Sequence, residues 1–368
     1  MTASIILGKI DPNALALFEA GMTPFDPPVF DPTPFFDLVR GNLATELLAV
    51  GVIHLDVPGR LALGAKPAEE IRHELGLSPR SWVVLATALK AMNILRQDAN
   101  NMVSLTSEGS EFLAGGEFDM KGYIGLIAES PGVLGLLERL KINAPAANRA
   151  NEGDAFIFRE GKSSAMDSGD SARRLTLALS GRARICGSQV AKVLVTEGCK
   201  RILDVGGGSG LYAVALLLAD ADLRVTVWDR PEVLRLAEEF GLKFGVSNRL
   251  ELIAGDMFND SVPMGHDGVL LSNILHDWDL PECLTLLKRL HEAVPRGTPL
   301  WIHDVYLNDS LDGPLALALY SAALFSLTEG RAYSANEYRA MLKGCGYQDQ
   351  PHIVPTAVHC GILLARTV

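Results

Sequence analysis

The 368-residue chain has only five cysteines, Cys186, Cys199, Cys283, Cys345 and Cys360, with no CxxC pair and no metal-like cluster with histidines along the sequence. That scarcity excludes a disulfide scaffold and the sequence signature of a zinc domain, and it suits buried thiols in a reducing compartment. Long apolar runs are missing as well. "VALLLA" at 214–219 falls far short of the roughly 20 residues that a membrane helix needs, so no membrane partner is expected. Dense runs of lysine and arginine are also absent, and with a net charge of −11 the chain would repel a phosphate backbone. The opening "MTASIILGKI" lacks the basic start, apolar core and small-residue cleavage site of a secretory signal, so a cytoplasmic location is the expectation. Hydrophobic residues make up 48% and charged residues 21%, as in a globular chain long enough for two domains.

The amino-terminal part reads as short helices ending in a small wing. "ATELLAVGVIHLD" (44–56) has helical patterning, and "KPAEEIRHELGLSPRSWVVLATALKAMNIL" (66–95) holds two helices joined by a tight turn. Pro67 suits a first helical turn, Gly76 stops that helix, Ser78 caps the next, and Pro79 fills its first position. "MVSLTSEGSEFL" (102–113) then supplies a strand and another helix start, which completes a winged-helix pattern. In a DNA reader the second helix would carry polar and basic side chains for base edges and phosphates. Here it shows Trp82, Val83, Val84, Leu85, Leu89 and Met92, with only Arg80 and Lys90 as cations. Packing in a dimer interface is the better expectation than nucleic acid. Further on, 148–156 reads as a polar exposed loop and 170–195 as a long connecting helix.

After Lys200 the rhythm becomes strand, turn, helix, repeated through "RILDV", "RVTVWD", "LELIAGD", "GVLLSN" and "PLWIHDV". Such alternation means an α/β domain with a parallel sheet covered on both faces. "HIVPTA" and "CGILLAR" follow one another after a short turn and read as an antiparallel hairpin at the sheet edge.

Ligands of such sheets collect at the carboxyl ends of the strands, and the chemistry-bearing residues cluster there. Asp204, Gly206 and Gly208 stand in "DVGGGSG", where a strand meets a helix and glycine lets main-chain N–H groups approach a ligand. Gly208, Gly210 and Ala213 also fit the dinucleotide pattern GxGxxG/A, in poor register with the strand end. Asp229 ends the second strand, where a carboxylate can accept from both ribose hydroxyls of an adenosyl or a nicotinamide cofactor. In "GDMF", Asp256 can accept from an adenine amine, and Met257 offers apolar surface to the ring. "LLSNILHDWD" (270–279) begins as a buried strand and ends in His276, Asp277, Trp278 and Asp279. Asp279 followed by Glu282 resembles a capping box for the next helix.

"LDVGGGSG", "GDMF", "NILHDWD" and "TEGRAYSANEY", in this order behind a winged-helix half, resemble the S-adenosylmethionine-dependent O-methyltransferases of the caffeate and acetylserotonin type. The likeness runs through nearly the whole chain from about residue 40 and is strongest over 200–347. It implies a Rossmann-like methyltransferase domain, a winged-helix domain that forms a homodimer, S-adenosylmethionine as cofactor with S-adenosylhomocysteine as product, and no metal. The acceptor would be a hydroxyl of a small aromatic or polyketide-like molecule. His276 takes the general-base role by this resemblance, and Asp304 in "LWIHDV" matches the acid that supports it in plant members. Asp277 either shares the capping work or orients the catalytic loop. Trp278 would wall the adenine, and Ser272 stands where plant members often carry a cofactor-contacting lysine. A second family glutamate falls on Ala332, with Glu329 nearby but out of register. Phe325, Ala323 and Leu327 leave apolar room for an acceptor.

The division expected from sequence is a winged-helix domain over 1–113, a helical linker over 114–195 that contributes to the acceptor pocket, and the catalytic domain over 196–368. Two other functions compete with methyl transfer: a nicotinamide-dependent oxidoreductase, and an S-adenosylmethionine-binding protein with a non-methylating or regulatory role.

Overall fold

The computed structural model describes residues 25–143 and 169–368, so the loop expected at 148–156 lies outside the described residues. In chain order the first elements are α1 (Thr33–Arg40), α2 (Ala44–Ala49), which runs into a π-helical turn at Val50–His54, and α3 (Val57–Leu61). Next come β1 (Lys66–Pro67), α4 (Ala68–Leu75), α5 (Pro79–Ala91), β2 (Leu95–Gln97), β3 (Met102–Leu105) and α6 (Ser107–Leu113). The punctuation follows the sequence closely. Gly76 ends α4 in the left-handed region at φ 66°, and Ser78 caps α5 by accepting from the Ser81 N–H at 3.1 Å. Pro67 departs from expectation: it pairs with Met102 in β1, and α4 starts one residue later. The three strands form a small sheet in the order β1-β3-β2, the wing of a winged helix.

Helices α7 (Lys121–Ile124), α8 (Pro131–Ile142) and the 26-residue α9 (Gly169–Leu194) precede the α/β half. That half runs β4 (Arg201–Val205), α10 (Leu211–Ala219), β5 (Arg224–Asp229), α11 (Pro231–Lys243), β6 (Leu250–Ala254), β7 (Gly268–Ser272), α12 (Leu280–Ala293) and β8 (Pro299–Leu307). It closes with α13 (Leu315–Leu327), β9 (Tyr333–Ser334), α14 (Ala335–Gly344), β10 (Tyr347–Pro355) and β11 (Cys360–Thr367). The main sheet has the order β10-β11-β8-β7-β4-β5-β6, parallel from β6 to β8, with β9 pairing with β8. The closing hairpin is antiparallel as read from sequence, but β11 lies inside the sheet against β8 and leaves β10 at the edge. Burial explains this: β11 is buried along almost its whole length, whereas β10 is mostly open, so β11 takes the inner place.

Two compact units make up the chain. One is built from Pro34–Ala147 and Tyr306–Glu337; the other from Asn148–Val305 and Tyr338–Val368 with the segment before Pro34. This differs from the contiguous division read from sequence, and α13 shows why. "LALALYSAALFSL" is apolar on nearly every face, as a helix buried through its middle requires, and Leu319, Ala322 and Phe325 join the core of the first unit beside Leu85, Leu89 and Leu136.

Helix α5 is enclosed in that same core. The dimer-interface role expected for its apolar face is therefore corrected: the face is buried inside its own unit. Nor does the helix offer a face to a DNA groove, and both of its cations are committed internally. Lys90 donates to the Ser310 carbonyl at 2.8 Å. Arg80 donates to the Glu329 carbonyl and to the backbone and side-chain oxygens of Asn143, with its guanidinium 4.6 Å above the Phe325 ring. Among the described residues no helix is long and apolar enough to cross a membrane. Arg80→Ala leaves several buried carbonyls without donors and should lower the unfolding free energy by about 3 kcal/mol in urea titrations. A change of the roughly 0.5 kcal/mol typical of a surface site would contradict this role.

Candidate active site

The parallel strands β4, β5, β6 and β7 end together, and the candidate cofactor residues sit on those ends. Asp204 is the penultimate residue of β4, and the chain after Val205 turns through Gly206 at φ 65°. A Cβ on Gly206 would come within 2.5 Å of Ile274 Cδ1, so only glycine lets this turn pass beneath the segment that carries His276. Gly210 starts α10 at φ 69°, and a Cβ there would lie 2.9 Å from that of Ala237, so this glycine serves close helix packing. Asp229 shapes the turn from the neighbouring strand: its Oδ2 accepts from the Gly208 N–H at 2.8 Å and its Oδ1 from the Arg230 N–H at 2.7 Å.

Asp204 is fully buried, and neither of its carboxyl oxygens has a hydrogen-bond partner. Burial, reinforced by the charge of Asp229, pushes its pKa up to about 8, so the group is largely neutral at pH 7. An orphaned buried acid beneath a glycine turn is relieved when a positively charged ligand sits over the turn, and S-adenosylmethionine, with its sulfonium and ammonium, meets that requirement. The residues present therefore fit the cofactor expected from sequence.

At the next strand tips the adenine-side candidates are arranged more locally. Asp256 Oδ1 accepts from the Phe258 N–H at 2.8 Å and Oδ2 from Asn259 Nδ2 at 3.0 Å, so its carboxylate holds its own turn. The Met257 carbonyl accepts from Arg289 Nε at 3.1 Å, which pins the turn to α12. Trp278 is buried and meets the Phe258 ring edge to face, with centroids 4.5 Å apart. Ser272 hydrogen-bonds through Oγ to His303 Nδ1 at 2.9 Å and accepts from Asn273 Nδ2 at 3.0 Å. Burial and the nearby positive charge of Arg182 hold the pKa of His303 down to about 3, so this imidazole is neutral. Asp279 caps α12 by accepting from the Leu280 N–H at 2.9 Å, the helix-start role read from sequence.

His276 lies on a single 3-10 turn just past β7, and the reversal at Asn273, with φ 59°, aims that turn back over the sheet. Its ring is 3% exposed, and Nδ1 stands 2.5 Å from Asp304 Oδ1 on the adjacent strand β8. Asp304 is fully buried and well supplied with donors: the Val305 N–H reaches Oδ1 at 2.8 Å and the Tyr338 hydroxyl reaches Oδ2 at 3.0 Å. Burial works against its charge, but the His276 imidazolium, the hydrogen bond from it and the Val305 N–H hold its pKa below the usual carboxylate value. Burial likewise opposes a charge on His276; Asp304 first and Asp277 second overcome it and raise the histidine above 6.5. Asp277 Oδ1 lies 3.6 Å from His276 Nε2, and burial raises its own pKa. An ionised Asp304 at Nδ1 fixes the proton there, so the lone pair of the neutral ring is at Nε2 and can receive a proton.

The structure thus brings His276, Asp277 and Asp304 together. Sequence reading missed Tyr338 and Arg182, whose positive charge acts on His276, Asp277, Asp304 and His303 alike. Nothing local in "ANEYRAM" marks Tyr338, since a tyrosine at helical spacing is ordinary core. The residues suggested for acceptor contact lie on α13 in the other unit. There Phe325 is completely enclosed in the core, Ala323 is nearly so, and Leu327 is partly exposed.

An open, doubly wound sheet with a glycine turn at the strand ends and a buried histidine–carboxylate pair beside it defines a Rossmann-like, nucleotide-cofactor type of domain. Comparison with known proteins narrows the class. Residues 154–348 match the O-methyltransferase domain family. The chain is 32% identical over 323 residues to the 3-hydroxy-5-methyl-1-naphthoate 3-O-methyltransferase of Streptomyces sahachiroi, covering 87% of this chain and 90% of that protein. The crystal structure of an O-methyltransferase family 2 protein from Planctomyces limnophilus, in complex with apigenin, is 42% identical with a TM-score of 0.84, over 94% of this chain and 99% of that one. Human N-acetylserotonin methyltransferase in complex with S-adenosylmethionine, at 20% identity and a TM-score of 0.56 over 91% of this chain and 96% of that one, shares the fold. The chain belongs to the family of S-adenosylmethionine-dependent O-methyltransferases.

Asp304→Asn removes the charge that raises His276 while keeping the side-chain shape. The acid limb of the kcat/KM profile should lie above pH 6.5 in the wild type, because the base acts in its neutral form, and should move to lower pH in the variant. A limb that stays in place on substitution would show that Asp304 does not set the histidine.

Proposed function

We propose that the protein methylates a hydroxyl of a small aromatic or polyketide-like acceptor, with His276 as the general base. The observation that carries this reading is the buried His276–Asp304 pair, whose Nδ1 contact leaves Nε2 as the proton acceptor. Bound S-adenosylmethionine would supply an electrophilic methyl carbon on its sulfonium. An acceptor hydroxyl becomes a far better nucleophile as His276 Nε2 takes up its proton, and Asp304 stabilises the imidazolium that results. Tyr338 and the Val305 N–H keep Asp304 ionised and in place during that step. Of the two acid positions expected in plant members only that of Asp304 is kept, Ala332 standing at the second, and Asp277 is the other acid beside the ring. The acceptor class is supported by the relatives, one named for a hydroxylated naphthoate and one crystallised with apigenin.

On the cofactor side, Asp229 has two roles. It braces the glycine turn through Gly208, and it offers the ribose hydroxyls a carboxylate at the tip of β5. His276→Ala should lower turnover by about 10²-fold or more while leaving affinity for S-adenosylhomocysteine nearly unchanged. Asp229→Ala should weaken that affinity first. Calorimetric titration beside single-turnover kinetics separates the two, and equal losses of binding and turnover in the histidine variant would make that residue structural.

The protein also acts as a homodimer through its winged-helix unit. Support comes from α1, where Phe35, Leu38 and Val39 are 74–75% exposed, an apolar face that a solitary surface helix does not keep dry. Leu38→Asp combined with Val39→Asp should convert a dimer to a monomer in light scattering coupled to gel filtration. A wild-type chain that runs as a monomer would refute this assembly.

A further inference from the structure

Cys186 on α9, His303 on β8 and Cys360 at the start of β11 are far apart in sequence, yet their ligand atoms all lie within 4.8 Å of one another. All three side chains are buried. Tyr212, in the first turn of α10, closes the same space: its ring meets His303 edge to face at 5.3 Å. Its buried ring therefore forms one wall of the cluster.

We propose that Cys186, Cys360 and His303 are the three protein ligands of a structural Zn²⁺ site that takes no part in methyl transfer. The donor set selects the ion. Two thiolates and an imidazole are ligands for a borderline-soft cation, which disfavours Mg²⁺ and Ca²⁺. Charge selects it further. On binding, two Zn–S bonds and one Zn–N bond form, two thiol protons leave for solvent, and no redox change occurs. The two thiolates then balance the divalent charge, so the completed centre is neutral, as a buried centre needs to be; a monovalent ion would leave a net negative charge in the core. The surroundings can orient the imidazole: its two nitrogens meet Ser272 Oγ at 2.9 Å and Thr356 Oγ1 at 3.0 Å, so one hydroxyl yields to the metal and the other remains as the partner that fixes the ring. Cys186 Sγ reaches the Ala357 carbonyl at 3.7 Å and Cys360 Sγ that of Val358 at 3.8 Å, long contacts that metal ligation can replace. A bound ion would tie α9, β8 and β11 of one unit together.

The full-length protein, stripped with chelator under reducing conditions, is given Zn²⁺ and gel-filtered, and its metal content is measured. In parallel it is titrated with Co²⁺ and read by absorption for thiolate-to-cobalt charge transfer. The proposal expects one equivalent of Zn²⁺ per chain and a thiolate–cobalt band. Both should be lost in Cys186→Ser and in Cys360→Ser and retained in Cys345→Ser, whose thiol lies outside the cluster. Alkylation mapping of the unmodified chain needs no variant: Zn²⁺ should protect Cys186 and Cys360 in particular. Zinc uptake unchanged in the two serine variants, or no protection of these two thiols by Zn²⁺, would overturn the site. None of these readouts depends on methyl transfer, so failure here leaves the reading of His276 untouched.

Discussion

A 2.5 Å contact between His276 and Asp304, inside a core that excludes water, is the constraint around which the catalytic edge is organised. Neither group is stable there alone, since an unpaired buried charge costs several kcal/mol, and each makes the other possible. The fold meets the geometric demand by placing Asp304 within β8 and His276 on the turn that follows the neighbouring parallel strand β7. Ser272 pairs with His303 in register, so the turn that leaves β7 starts beside Asp304, which stays in the sheet opposite Gly361 of β11. The chain reversal at Asn273 brings the imidazole back over the tip, and Tyr338 and the Val305 N–H complete the shell of the carboxylate.

The same edge supplies the cofactor side through backbone geometry more than through side-chain number. Gly206 lets the turn after β4 slip under Ile274, two residues before the base, so the glycine turn and the catalytic turn are in direct contact. Asp204 and Asp229 put two acids against that turn, one orphaned and largely neutral, the other holding the Gly208 amide. Acids of this kind make a site that is unsatisfied until a cationic, ribose-bearing ligand arrives. That fits the family to which the chain belongs, and it explains why the acidic residues at these strand ends have opposite fates: Asp256 is spent on its own turn, while Asp204 is left without a partner.

Much of this was legible in the sequence because local physics decided it. β4, β5 and β6 are strand runs closed by glycine or aspartate, and the caps at Gly76, Ser78 and Asp279 act as their residue types dictate. His276, Asp277 and Asp304 could be placed because the first two follow the end of β7 and the third lies on β8 one residue past the last β7 pairing, where a one-dimensional pattern fixes a three-dimensional edge. What depended on long-range packing was not legible. The apolar face of α5 announced burial but not its partner, and α13 returns from far along the chain to cover it. The insertion of β11 between β8 and β10 is a choice among sheet orders that no hairpin signal encodes, and it is this choice that brings Cys360 to His303. Tyr338 reads as an ordinary buried aromatic until α14 is seen to aim it at Asp304.

The central claim is a protonation state, and it can be observed on the ring itself. Nitrogen-15 chemical shifts of the His276 imidazole, followed through a pH titration of the cofactor-bound protein, report which nitrogen carries the proton and where the other titrates. The account predicts that Nδ1 stays protonated throughout while Nε2 titrates above 6.5. A ring protonated at Nε2 in its neutral form, or one that titrates below 6.5, would contradict it.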